Sequence, residues 1–249
     1  MSFSNTVALV TGANRGIGRA FVEELLAAGA VKVYAAARNP EGLSDLVETG
    51  QGRVVAVALD VTKPDQIAAA AANKDVNLLI NNAGFVSFAP LVGIDSIDGA
   101  RDEMETNYFG VLNMVRAFAP VLAANGGGAI VNTSSCWGGK NPGPNHALYC
   151  MTKAAIASLT QCMGMDHAHQ GIRINAVCPN EVNTPMLRTG FAKRGFDPDS
   201  AVAELGKTVP LGRIAEPEDI ADVVLFLASG AARYICGALV EVNGGKPVS

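Results

Sequence analysis

Short β-branched runs alternate with alanine-rich amphipathic stretches from one end of the 249-residue chain to the other. Residues 7–10, 31–36, 54–59, 78–80, 129–132, 173–177 and 239–242 read as strands. Residues 16–28, 64–72, 108–124, 148–168 and 217–228 read as helices, with one more helix before residue 108. Continuous apolar strands separated by helices need cover on both faces. This pattern predicts an α/β fold: a parallel sheet of about seven strands with helices on both sides and right-handed crossovers. Proline, glycine and charge are spread evenly, so residues 1–249 read as a single domain. The least regular stretch, 179–208, follows a strand end, where ligands bind in open α/β sheets. Its portion 185–208 is therefore expected to be a substrate lid.

Composition narrows the function. Apolar residues make up 49% of the chain and charged residues 17%, which is the profile of a packed globular protein. A net charge of −4 without a basic cluster argues against a nucleic-acid partner. The apolar runs are too short to span a membrane, and the polar start, Met1 to Thr6, carries no signal pattern. The cysteines Cys136, Cys150, Cys162, Cys178 and Cys236 show no metal spacing and read as reduced thiols. His167 and His169 point different ways on a helix, so no metal site is expected. A cytoplasmic location follows as an expectation.

The first strand runs into Thr11-Gly12-Ala13-Asn14-Arg15-Gly16-Ile17-Gly18 and then a helix. Glycines at such a turn let a pyrophosphate approach the free N–H groups of the helix N-terminus. The spacing is Gly-x3-Gly-x-Gly, not the Gly-x-Gly-x2-Gly fingerprint. At the end of the second strand, where an acid would hold the ribose of NAD, stands Arg38. With Arg15 it offers two guanidiniums for a 2′-phosphate, so NADP(H) is the expected cofactor and NAD(H) the alternative. A solvated loop arginine is the competing reading of Arg38.

Ser134 and Ser135 close the fifth strand, and Tyr149 and Lys153 follow four residues apart on one helix face. A free phenol with a pKa near ~10 is a poor base at neutral pH. A neighbouring ammonium and an oxidised nicotinamide both favour the phenolate. A serine hydroxyl can hydrogen-bond a substrate oxygen as charge develops on it. This set suits proton transfer to or from a carbonyl or alcohol oxygen.

Taken together, these motifs resemble the short-chain dehydrogenase/reductase family over essentially the whole length. Gly12, Gly16 and Gly18 match its glycine motif, with Asn14, Arg15 and Ile17 inside it. Asp60-Val61 matches the acid that contacts adenine, and Asn81-Asn82-Ala83-Gly84 the segment after the fourth strand. Asn107, Ser135, Tyr149 and Lys153 match the catalytic residues, and Pro179 to Thr184 the Pro-Gly-x-x-x-Thr cofactor segment. The resemblance implies a Rossmann-type, doubly wound oxidoreductase. Tyr149 would be the general acid or base, and Lys153 would lower its pKa and bind the nicotinamide ribose. Ser135 would orient the substrate and Asn107 complete the proton relay. Val182 and Thr184 would hold the carboxamide end of the cofactor, and Pro179 belongs to the same cofactor-binding segment.

The resemblance also implies a dimer or tetramer, in keeping with the excess apolar surface of the helices 108–124 and 148–168. Three departures stand out: Asn180 in place of glycine, an extra residue between Ser135 and Tyr149, and a shortened stretch between Asp60 and Asn81. Phe85, Phe88, Trp137, His146, Met186, Leu187 and Phe191 are candidates for a cleft that takes an apolar or aromatic small molecule. Two readings compete with an NADP(H)-linked carbonyl reductase: an NAD-linked alcohol dehydrogenase of the same fold, and a dinucleotide-binding sensor or scaffold without turnover.

Overall fold

The computed structural model describes residues 1–87, 92, 96–138, 142 and 145–246. In chain order the elements are β1 (Val7–Thr11), α1 (Gly16–Ala27), β2 (Lys32–Ala37), a 3-10 turn (Pro40–Leu43), α2 (Ser44–Thr49) and β3 (Val54–Ala58). Next come α3 (Pro64–Ala70), β4 (Leu78–Asn81), α4 (Asp98–Met104), a π-helical turn (Glu105–Phe109), α5 (Gly110–Ala124) and β5 (Gly128–Thr133). The chain continues through α6 (Ala147–His167), β6 (Ile172–Pro179), α7 (Pro185–Lys193), α8 (Pro198–Lys207), α9 (Pro217–Ala228) and β7 (Leu239–Val242).

All seven strands pair in parallel, in the order β3-β2-β1-β4-β5-β6-β7. The chain starts in the middle of this sheet and winds outward both ways, which is the Rossmann-like topology. The order reverses between β1 and β4, opening a crevice at their carboxyl ends. Two apolar layers sandwich the sheet. Phe21, Leu25, Val224 and Leu227 of α1 and α9 cover one face. Met114, Val115, Phe118 and Leu122 of α5, with Ile156 of α6, cover the other. Among the described residues no helix is long and apolar enough to cross a membrane.

The structure corrects three expectations. The segment expected to be least regular is largely helical. Thr184 caps α7 by accepting from the Leu187 N–H, and Asp197 caps α8 by accepting from the Ser200 N–H at 2.9 Å. Pro185 and Pro198 occupy the first helical positions, where a missing N–H costs nothing. The crossover between β2 and β3, where the sequence pattern marks no helix, holds the 3-10 turn and α2. The two helices expected before β5 form one continuous helical course whose π turn contains Asn107.

Phe118 is fully buried under β4 and β5 in the second apolar layer. Phe118→Ala is expected to lower unfolding stability by about 3–5 kcal/mol in urea denaturation. A loss under about 1 kcal/mol would mean that this layer repacks freely.

Candidate active site

The glycine turn is built for close approach. Gly12 and Gly16 take left-handed φ values of +67° and +56°, which glycine adopts without penalty. A Cβ on Gly12 would meet the Ala83 backbone at 3.0 Å, so the turn lies flat on the 82–84 segment. Thr11 Oγ1 accepts from the N–H groups of Asn82 and Ala83 at 2.9 and 3.0 Å, and Asn82 Nδ2 donates to the Thr11 carbonyl at 3.1 Å. Arg15 is the N-cap of α1 and supplies no side-chain cap, and the first turn carries no acid. The first N–H groups of this helix therefore face outward beside a favourable dipole end.

These features fit a dinucleotide phosphate. Arg15 and Arg38 are exposed at the same end of the sheet, and neither pairs with a carboxylate among the described residues. Asp60, past β3, accepts from Thr62 N–H and Oγ1 at 2.9 and 2.8 Å. Burial acts to raise its carboxyl pKa. The Thr62 hydrogen bonds and the nearby charges of Arg38 and Lys63 prevail and hold it below the usual range. Val61 is buried and packs against Gly110.

Ser135, Tyr149 and Lys153 converge. Ser135 lies just past β5, where its Oγ accepts from Trp137 N–H at 3.0 Å and donates to the Pro179 carbonyl at 3.4 Å, close enough to the Tyr149 phenol to lower its pKa. Lys153 sits one turn after Tyr149 on α6, with Nζ 5.5 Å from the centre of the phenol ring. Lys153 Nζ donates to the Thr133 carbonyl at 2.8 Å, and Ser134 Oγ donates to the Lys153 carbonyl at 2.8 Å.

Asn107 is fully buried and stays off the cleft wall. It exchanges two bonds with the Phe85 backbone, at 2.8 and 3.0 Å, and donates to Thr152 Oγ1 at 3.2 Å. Thr152 in turn donates to the Tyr149 carbonyl at 2.8 Å.

The electrostatics differ from the sequence expectation for the phenol. Burial pushes Tyr149 up to about 12; the Ser135 hydrogen bond lowers it and the charge of Glu103 raises it. Dehydration likewise depresses Lys153 to about 8. The ammonium is itself dehydrated and turned toward Thr133, so the chain's own groups keep the phenol protonated.

One cleft gathers most of the expected residues. Its inner part is lined by Ile17, Asn82, Gly84, Pro179, Val182 and Thr184, beside Ser135, Tyr149 and Lys153. A Cβ on Gly16 would meet Thr184 at 3.5 Å, so the two cofactor segments face each other. Asn180 keeps ordinary backbone geometry, so its replacement of glycine brings no strain.

The outer part is lined by Phe85, Val86, Trp137, His146, Met186 and Leu187. Trp137 and His146 meet edge to face with ring centres 4.5 Å apart. Phe191 lies off the lining; it carries the guanidinium of Arg194, which does reach the cleft. Phe88 lies outside the described residues, as do 139–141 and 143–144 of the loop before Tyr149. Arg194 and Glu103 were not anticipated; a basic residue ending a helix and an acid one turn before Asn107 gave no spacing signal.

Comparison with known proteins follows the same lines. The family described as enoyl-(acyl carrier protein) reductase matches residues 12–246. The chain is 36% identical over 249 residues to the oxidoreductase UcpA of Escherichia coli O157:H7, covering 96% of this chain and 93% of that protein. It is 38% identical over 240 residues to mouse L-xylulose reductase, covering 96% and 95%. Among solved structures, L-sorbose reductase from Gluconobacter frateurii, complexed with NADPH and L-sorbose, superposes with a TM-score of 0.89. That pair is 27% identical, covering 98% and 97% of the two chains.

Cys136 is buried and its thiol is pushed up to about 12, with desolvation the largest cause; Cys178 follows at about 11. At about pH 8, iodoacetamide is expected to label exposed Cys162 and Cys236 and to spare Cys136 and Cys178 in native protein. Mass spectrometry showing Cys136 modified as fast as Cys162 would contradict this burial.

Proposed function

Because the chain belongs to the short-chain dehydrogenase/reductase family, and so is an oxidoreductase acting on alcohol and carbonyl groups, we propose that it is an NADP(H)-preferring reductase with Tyr149 as its general acid and base. The observation that carries this reading is the convergence of Ser135, Tyr149 and Lys153 on one cleft shared by both cofactor segments, with the Lys153 ammonium 5.5 Å from the phenol ring centre.

In the reducing direction the Tyr149 phenol donates its proton to the substrate oxygen, and burial keeps that proton in place until it is needed. Ser135 Oγ hydrogen-bonds the same oxygen as charge develops on it. Lys153 holds positive charge beside the phenol and binds the nicotinamide ribose. Asn107 fixes the Phe85 backbone and, through Thr152, the start of α6. A bound dinucleotide supplies or accepts the hydride. Gly12, Asn14, Gly16, Ile17 and Gly18 receive its pyrophosphate, Asp60 and Val61 its adenine, and Asn82, Ala83, Gly84, Pro179, Val182 and Thr184 its remaining length.

Arg15 and Arg38 support NADP(H) over NAD(H), because two exposed guanidiniums, without a carboxylate partner among the described residues, match a 2′-phosphate. The substrate is a small carbonyl compound or secondary alcohol of the ketose and polyol type. Relatives named for L-xylulose and L-sorbose support that class. The apolar wall of Phe85, Trp137, Met186 and Leu187 suits the C–H face of such a molecule as well as the aromatic compound the sequence pointed to. Residues 1–249 act as one catalytic domain in the cytoplasm, and 185–208 serve as its lid. Exposed Met151 and Met165 on α6, and Tyr234 and Leu239 near the chain end, support a homo-oligomer.

The test is thermal unfolding with NADPH and NADH at equal concentration. A nucleotide at about 100 times its Kd adds roughly 2.7 kcal/mol, a rise of several degrees for a chain this size. NADPH is expected to give the larger shift, and Arg38→Ala to weaken NADPH alone by roughly tenfold to a hundredfold. A larger shift with NADH in the wild-type protein would reverse the cofactor assignment.

A further inference from the structure

Glu103 is a fully buried carboxyl that the reaction described above does not use. It lies on α4, one turn before Asn107. Its Oε2 accepts from Ser87 N–H at 3.2 Å and, in a short hydrogen bond, from Ser87 Oγ. Its Oε1 is buried and has no hydrogen-bond partner among the described residues. Glutamate is almost never fully buried unless paired, and a half-satisfied buried carboxyl is costly. As a structural tie to Ser87 alone, a glutamine would serve at lower cost.

The compensating charge lies on α6, which packs against α4. Lys153 is a buried cation with no carboxylate in contact among the described residues, and it donates to the Thr133 carbonyl at 2.8 Å. Dehydration dominates at Lys153; against it Cys178 and then Glu103 act electrostatically, Glu103 also acts on Tyr149, and Lys153 acts back on Glu103. Opposite charges in a dehydrated region feel each other well beyond contact distance.

We propose that Glu103 is the buried counter-charge of the Lys153 ammonium, a positioning residue that keeps Lys153 protonated beside Tyr149 while holding Ser87 at the cleft wall. The proposal rests on the reading of Tyr149 and Lys153 as the reacting pair. It makes the wall and the charge state one device. Asn107 pins Phe85 and Glu103 pins Ser87, two rungs from one helical course, and the second rung carries the charge.

The other ionisable groups around the pair are Cys150 on α6, Cys136 past β5 and Cys178 on β6. Cys136 and Cys178 stay neutral at working pH because burial pushes both well up. Across the cleft stand His146, Arg194 and Glu181, the last paired with Lys246 at 2.5 Å. Burial raises the Glu103 carboxyl, the Ser87 bonds and the charge of Lys153 lower it, and the proposal requires that it be ionised where Lys153 titrates.

Carbon NMR of lysine labelled at Cε reads this without any turnover, with Lys153→Arg identifying the Lys153 signal. The wild-type signal is expected to titrate near pH 8. Removing a favourable negative charge is expected to move the Glu103→Gln midpoint acidward by at least about half a pH unit. Ser87→Ala removes the hydroxyl bond to Glu103 but keeps the backbone N–H bond and the charge, and is expected to leave the midpoint in place. An unchanged midpoint in Glu103→Gln, or an equal shift in Ser87→Ala, overturns the proposal.

Should Glu103→Gln fail to fold, the wild-type protein answers alone. An isotope-edited infrared spectrum showing a buried protonated glutamate persisting above about pH 8 overturns the proposal, and its loss below that pH supports it. Neither readout depends on catalysis, so failure here is distinct from failure of the Tyr149 assignment.

Discussion

The 2.8 Å hydrogen bond from Lys153 Nζ to the Thr133 carbonyl joins the sheet to the longest helix of the site. It exists because β5 ends at Thr133, between β4 and β6, where its backbone leaves the regular ladder. Ser134 then reaches to the Lys153 carbonyl, so sheet and helix are tied on both sides of one residue. With α6 fixed there, Tyr149 can fall only one turn earlier, against Ser135. The packing that seats the ammonium there strips water from it, and that dehydration lowers its pKa. Position and electrostatics of the site thus share one physical origin.

The sheet was legible because every strand except the half-exposed β3 and the edge strand β7 is a buried apolar run, and a parallel sheet leaves no other way to cover such runs. The long helices α1, α5, α6 and α9 were legible for the same reason. Among the helices, the reading failed where burial is slight. The crossover helix α2 spans six residues, too short for a periodic stripe. In α7 and α8 the prolines at 185 and 198 read as irregularity, although Thr184-Pro185 and Asp197-Pro198 are cap-then-proline starts. The π turn at Asn107 follows from its side chain turning inward onto Phe85, a contact between segments far apart in sequence.

The site divides along the same line. Groups fixed by a motif on one element, such as the glycine turn or the Tyr149–Lys153 pair, were readable from spacing. Groups that matter through what they face were not. Arg194 reaches the cleft because Phe191 and Phe196 support its guanidinium. Glu103 gains its meaning from Ser87 on one side and from α6 on the other. The rise of the Tyr149 phenol depends on packing from several elements at once, which no linear pattern encodes.

The central claim is that the Tyr149 phenol moves the proton. Its most direct test compares Tyr149→Phe with the wild-type protein in two assays: NADPH consumption with the best carbonyl substrate from a panel, and NADPH binding by calorimetry. The predicted result is turnover lowered by roughly a hundredfold or more with binding nearly unchanged. Turnover retained within a few-fold, with NADPH still bound, would contradict the account and move the proton transfer to another group.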